Sequence, residues 1–221
     1  MKTKKWRNDI FETSGSSACL KDKKIILASG SPRRIEMMRA CGIEPLIMTA
    51  DIEENLPKVH GMCETVMFLA LKKAQDVALR LSSLPDCLEK PEEGSIIIAA
   101  DTIVYKDGEI MGKPADRDDA YRMLDKLRND FHYVVTGVAL LSYGRQLTRV
   151  FAEVTKVYFK DYPDSELEAY LDTDEAYDKA GAYAIQGYFA KHIDHIEGSY
   201  ENVIGFPWER IEKEILKMEE K

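Results

Sequence analysis

Ile25-Ile26-Leu27-Ala28-Ser29-Gly30-Ser31-Pro32-Arg33-Arg34 is the stretch from which the fold is read. An apolar run ends in small, turn-forming residues, and Pro32 then stands where the first helical residue belongs, with its φ already set for a helix. The spacing predicts a buried strand that turns sharply into a helix over Pro32 to Ala40, with Ser31 as its N-cap. Arg33 and Arg34 then occupy the second and third helical positions. A helix start carries partial positive charge, so two cations there are disfavoured by a few tenths to ~1 kcal/mol each unless an anion is present. Two readings follow: a solvated turn whose arginines pair with surface carboxylates, or a phosphate site. Two adjacent cations at the helix start favour the phosphate site.

The chain has 221 residues and is 45% hydrophobic, enough for one large domain or two lobes sharing a sheet. A formal net charge of −8 argues against a general nucleic-acid or anionic-membrane surface, both of which need a broad basic field. A small polyanion needs only a local basic cluster. Cys19, Cys41, Cys63 and Cys87 have neither zinc-knuckle nor redox spacing, so reduced thiols and a cytoplasmic location are expected. No run approaches the length of a membrane span, and no secretory signal is evident.

Residues 1–23 are polar and mixed in charge, and read as a mobile extension preceding a single domain over 24–221. After the opening unit, Cys41-Gly42 marks a helix end and Pro45 to Ala50 a second strand. An acidic loop, Asp51 to Asn55, follows. Apolar residues recur at threes and fours from Gly61 to Leu81, a long amphipathic helix whose Lys72 and Lys73 read as its solvated face. Leu84 to Gly94 is a loop. Ser95 to Ala100 is a continuous apolar run, expected as a central strand that delivers Asp101 at its C-terminal end, where open α/β sheets place ligands. Ile103 to Met111 is a hairpin turning at Asp107-Gly108, and Asp116 to Asn129 a helix burying Ala120, Met123, Leu124 and Leu127. Phe131 to Leu141 and Thr148 to Phe159 are two long strands about a turn at Gly144-Arg145. Pro163 to Leu171 is a helix capped by Asp161 or by the proline itself. Asp178 to Gln186 is expected as loop and strand, Phe189 to Ile196 as strand, and Pro207 to Met218 as a helix with proline at N1. The fold class is α/β: an elongated mixed sheet flanked by helices, in two lobes with a central cleft.

Several residues could carry chemistry. Asp101 and Glu54 are carboxylates placed to hold magnesium or manganese beside phosphates, or in one case to accept a proton from water; capping and solvated-loop roles are the bland alternatives. Lys113, between Gly112 and Pro114, is placed to neutralise a phosphate, with Lys73 and Lys179 weaker candidates. The Gln186 amide offers donor and acceptor in one plane, which suits the O4/N3 edge of a pyrimidine, though such amides often serve the scaffold. His192 and His195, three apart in an expected strand, point to opposite faces and do not make a metal pair.

Six ordered segments, Ile26 to Arg34, Ala99 to Thr102, Gly112 to Pro114, Thr136 to Val138, Asp178 to Gly187 and Gly198 to Pro207, together resemble the Maf nucleotide pyrophosphatases over roughly residues 24–218. The resemblance implies a two-lobed fold related to the inosine-triphosphate pyrophosphatases and often a homodimer. It also implies metal-dependent hydrolysis of a nucleoside triphosphate to the monophosphate and pyrophosphate. By the same resemblance Asp101 is the catalytic proton acceptor and, with Glu54, a metal residue. Ser31, Arg33, Lys73, Lys113 and Lys179 are phosphate-binding, and Arg34, Thr102 and Gln186 set base selectivity. The form of the segment 178–187 is similar to the branch acting on dTTP and UTP. Two alternatives stand beside this reading. Leu-Ala-x-Gly also opens nucleotidyltransferases, although Ser31-Pro32-Arg33-Arg34 breaks their glycine-rich loop. The family's association with septum formation allows a catalytically weak nucleotide-binding regulator of cell division.

Overall fold

The structure, a computed structural model, describes Leu20 and residues 23–53, 61–85 and 90–220. Its centre is a mixed sheet in the order β2-β1-β3-β5-β6-β7, with β4 also paired to β3. The strands are β1 Ile25–Leu27, β2 Leu46–Ile47, β3 Ile96–Lys106, β4 Glu109–Met111, β5 Phe131–Ser142, β6 Thr148–Phe159 and β7 Ile193–Glu197. β1 runs parallel to β2 and β3, and every other pairing is antiparallel. The helices are α1 Pro32–Ala40, α2 Met62–Ser82, α3 Arg117–Leu127, α4 Asp164–Leu171, α5 Tyr200–Ile204 and α6 Trp208–Glu219.

Strand alternation divides the core. Ile97, Ala99 and Ile103 of β3 face α2, which buries Val66, Leu69, Ala70, Ala74, Val77 and Leu81, as its spacing predicted. Ile96, Ile98 and Ala100 face the other way into a cluster with α1 and α6. Val104, further along β3 on that same face, joins a second cluster built from α3, α4 and the segment 180–193. One face of the sheet therefore carries two separate apolar clusters, and the predicted cleft lies between them.

The edge of β3 explains why a cleft opens there. β5 pairs with β3 from Ile96 to Tyr105 along one edge. The opposite edge is shared: β1 pairs only with Ile96 to Ile98, and β4 only with Val104 to Lys106. Residues 99–103 thus have no strand beside them on that side, and Asp101 lies in the middle of this gap.

Several expectations are corrected. β3 does not end at Asp101 but continues to Lys106, because the Asp107-Gly108 turn, with φ of 48° and 83°, returns the chain as β4. The second strand shrinks to Leu46–Ile47, since only two residues find register beside the short β1. The segment 178–186 holds no strand. A 3-10 turn at Ala180–Ala182 replaces it, with Gly181 at φ 68° pressed so closely on Val104 that a Cβ would lie 2.9 Å from its Cγ2. Tyr188–His192 is likewise a 3-10 turn and only Ile193–Glu197 is strand, so the alternation argument for His192 and His195 does not apply. His192 is buried against Tyr162 and Phe189, whereas His195 is exposed and stacks on Tyr158. The helix expected over 116–129 is α3, with the Asp116 carboxylate accepting from the Asp119 N–H. Pro207 and Pro163 stand at N-cap positions rather than inside their helices. The 1–23 extension lies almost wholly outside the described residues, as do Cys19 and Cys87; Cys41 and Cys63 are free thiols.

Candidate active site

The opening strand and helix form as read. β1 hands over through Ala28 to Ser31, and α1 begins at Pro32 with no acidic residue in its first turn. Ser31 is the N-cap by position, but its side chain makes no capping bond; its N–H instead donates to Ser29 Oγ at 3.3 Å. Ser31 and the first-turn residues Pro32 to Arg34 of α1 line a cavity of about 770 Å³, and the N–H groups of that turn have no helical partner.

That cavity brings together every described residue that the sequence singled out for the site: Ser31, Arg33, Arg34, Lys73, Asp101, Thr102, Lys113, Lys179 and Gln186. Glu54 lies outside the described residues. Among the described lining residues five are basic and two, Asp101 and Asp178, are acidic. In a chain of net charge −8 this is a strong local inversion, and low-dielectric walls concentrate its field on an anion.

Asp101 and Lys73 form the pair at its base. Lys73 Nζ donates to Asp101 Oδ1 at 2.6 Å, and the two side chains are only 16% and 12% exposed. Lys73 is thus not on a solvated face. What brings it there is β5: Asp101 is the register partner of Gly137, and α2 rests its backbone on that glycine. A Cβ on Gly137 would lie 2.3 Å from the Val66 carbonyl carbon and oxygen. Lys73 is two helical turns beyond Val66 on the same helix, so the depth of α2 on Gly137 sets the reach of the lysine.

Arg34 is held by the scaffold. Its Nε donates to Gly205 O at 3.0 Å, Nη1 to Ser29 Oγ at 3.1 Å and Ala100 O at 2.9 Å, and Nη2 to Thr102 Oγ1 at 3.2 Å. The Ala100 carbonyl belongs to the strandless edge of β3, so the guanidinium takes the place of a missing strand there. Thr102 Oγ1 also meets Thr136 Oγ1 at 3.0 Å, and Thr136 donates to Asn202 O. Asn202 in turn donates to Val134 O and Thr155 Oγ1 from full burial.

The opposite wall is the segment 178–187. Lys179 Nζ donates to the Glu175 carbonyl and to Asp178 Oδ1. Burial raises the Asp178 pKa, but the Lys179 hydrogen bond and the fields of Lys179 and Arg33 outweigh this and hold the carboxyl below its usual range. Arg33 therefore looks across the cleft at this segment. Lys113 is exposed, one residue past the Gly112 carbonyl that accepts from Gly181 N–H. Gln186 is exposed on the rim.

A cation bridging carboxylate and phosphate has a suitable donor here. Asp101 Oδ2 accepts no hydrogen bond among the described residues, and no cluster of three or more His, Cys, Asp or Glu suited to a metal occurs among them. One hard oxygen of this kind in a basic cavity fits magnesium, which is typically bound by one or two carboxylates plus substrate phosphates rather than by an all-protein cage.

The sequence assigns no role to Gly137, Thr136, Asn202, Gly205 and the buried pair His132–Tyr183, although all of them except His132 lie in the segments that carry the resemblance. Only Gly137 carried a local signal, since a glycine inside a strand marks close backbone approach. The others act through partners far away in the chain.

The family described as Maf-like protein matches residues 24–218. A dTTP/UTP pyrophosphatase of Caldicellulosiruptor bescii is 40% identical over 196 residues, covering 89% of this chain and 95% of that protein. A dTTP/UTP pyrophosphatase of Acetivibrio thermocellus is 44% identical over 194 residues, 88% of this chain and 94% of that protein. Among solved structures, the Staphylococcus aureus Ham1 protein is 16% identical with a TM-score of 0.49, over 90% of this chain and 100% of that one. No helix among the described residues is long and apolar enough to cross a membrane.

Proposed function

The chain belongs to the Maf-like family, and from that premise we propose that it hydrolyses dTTP and UTP to the monophosphate and pyrophosphate. The observation that carries the reading is one cavity in which, among the described residues, five basic side chains and a helix start line the same space as Asp101 of the sheet.

The triphosphate lies across the turn from Ser29 to Arg34. Ser31 and the α1 N–H groups meet one phosphate, and Arg33, Lys113 and Lys179 balance the rest of its charge. Arg34 ties that turn to β3 and to Gly205. Gln186, on the rim with Thr102 below it, presents its amide to the pyrimidine edge. Asp101, oriented by Lys73, accepts the proton of a water that attacks the α-phosphorus in line, and pyrophosphate leaves toward Arg33 and Lys113. Glu54, together with Asp101 where that carboxylate serves as ligand instead of base, would hold a divalent cation, magnesium or manganese, which when bound polarises the phosphate oxygens. The same reading extends to a cytoplasmic homodimer, consistent with cysteines that lack zinc or redox spacing.

The test is a panel of nucleoside triphosphates with magnesium or manganese and direct pyrophosphate detection. Release of one pyrophosphate per dTTP or UTP, with purine nucleotides turned over poorly, is the expected result. Tight dTTP binding without pyrophosphate release would replace the enzyme by a nucleotide-binding regulator, and light scattering reads the oligomer in the same sample.

A further inference from the structure

His132 has no part in the chemistry just described, yet it is a fully buried imidazole near the start of β5. Its Nε2 lies 2.6 Å from the Tyr183 hydroxyl, and its Nδ1 has no hydrogen-bond partner. An apolar side chain would fill this space among Phe159 and Tyr183 without leaving a buried nitrogen unpaired. The product of the arrangement is the fixed position of Tyr183.

Tyr183 lies midway in the cavity wall, four residues after Lys179 and three before Gln186. The wall has other ties. Gly181 N–H donates to Gly112 O at 3.0 Å, the Tyr170 hydroxyl to Ala182 O at 3.1 Å, and Tyr188 N–H to a Glu175 oxygen at 3.0 Å. The first two act before Tyr183 and the third beyond Gln186. Among the described residues, the His132 bond is the side-chain hydrogen bond that ties the middle of this wall to the sheet, beside the apolar contacts of Tyr183 with Phe159 and of Gly181 with Val104.

We propose that His132 is a positioning residue for base recognition: through Tyr183 it fixes the approach of Ala184, Ile185 and Gln186 to the cavity. The inference rests on the reading of Gln186 as the pyrimidine contact. Burial, helped by Lys106 and opposed by Asp130, pushes the imidazole down to about 3, so it stays neutral throughout the working range. Burial pushes the Tyr183 hydroxyl up, so it stays protonated and the pair keeps its 2.6 Å hydrogen bond.

The experiment compares His132→Phe, His132→Gln, Tyr183→Phe and Gln186→Ala with the full-length enzyme, measuring kcat and KM for dTTP and dGTP and the thermal midpoint. In His132→Phe, KM for dTTP rises about tenfold and the dTTP-over-dGTP ratio of kcat/KM falls about tenfold, with kcat little changed. His132→Gln, whose amide reaches the place of Nε2, restores much of both. Should His132→Phe not fold, Tyr183→Phe, which removes only the hydroxyl, must shift the same two numbers in the same direction. A purely structural residue would lower the midpoint and leave KM and the ratio alone. That outcome, with Gln186→Ala still eroding the ratio, overturns the role of His132. If Gln186→Ala leaves the ratio untouched, the base contact itself is misassigned, and this inference falls with it.

Discussion

Replacing Gly137 by alanine should damage the active site from the opposite side of the strand pair, without touching substrate. The added Cβ would stand 2.3 Å from the Val66 carbonyl and 2.6 Å from Met67 N, all backbone atoms that no rotamer change can move. Carbon contacts settle near 3.5–4.0 Å, so α2 must lift by about 1 Å or more at this point. Such overpacking costs about 1–3 kcal/mol of stability. Because α2 is stiff, the lift is carried two turns along to Lys73, whose 2.6 Å bond to Asp101 Oδ1 is stretched beyond hydrogen-bond range. A misplacement of that size in a catalytic arrangement costs about 10²-fold in rate. The assay is pyrophosphate release from dTTP alongside urea denaturation, for Gly137→Ala, Lys73→Met and the double variant. If Gly137 works through Lys73, the loss in kcat/KM caused by Gly137→Ala largely disappears in the Lys73→Met background. Fully additive losses, or a Gly137→Ala enzyme with unchanged kcat/KM, would refute the reasoning.

Three further outcomes are expected. Asp101→Asn, isosteric but unable to accept a proton, should lower kcat at saturating magnesium by about 10²–10⁴-fold; near-wild-type turnover would remove Asp101 from the chemistry. Arg34→Lys replaces a planar fork bonded to Gly205, Ser29, Ala100 and Thr102 by a point charge with three donors, and should cost about 2–3 kcal/mol of stability in urea together with activity, whereas an unaltered midpoint would show that the clamp is dispensable. His132 has a folded pKa of about 3 against an ordinary 6.5, so between those values the unfolded chain binds more protons and stability falls as pH falls. From pH 7.5 to pH 5 wild type should therefore lose about 2 kcal/mol relative to His132→Phe, and parallel stability curves for the two proteins would contradict the burial of a neutral imidazole.

Where the sequence was legible, the signal was local. Pro32 after small residues fixed the start of α1, Asp107-Gly108 fixed a hairpin, and the spacing of Ala120, Met123, Leu124 and Leu127 named the buried stripe of α3. Where it misled, the competing term was tertiary. Asp101 read as a strand end because a charge followed an apolar run, but the strand continues since its edge changes partner from β1 to β4 around it. Lys73 read as solvated because helix periodicity cannot see what packs opposite a lysine.

By itself, then, the sequence determined the long helices and strands, the strand-to-helix turn with its paired cations, and the segments by which the cavity residues were picked out, since periodicity, capping and turn chemistry act within a few residues. Only the tertiary structure decided which groups meet: Lys73 with Asp101 across 28 positions, Arg34 with Gly205 across 171, His132 with Tyr183 across 51. Those meetings depend on the register of β3 with β5 and on how closely α2 seats on Gly137, and both are properties of packed surfaces that no local stretch of chain encodes.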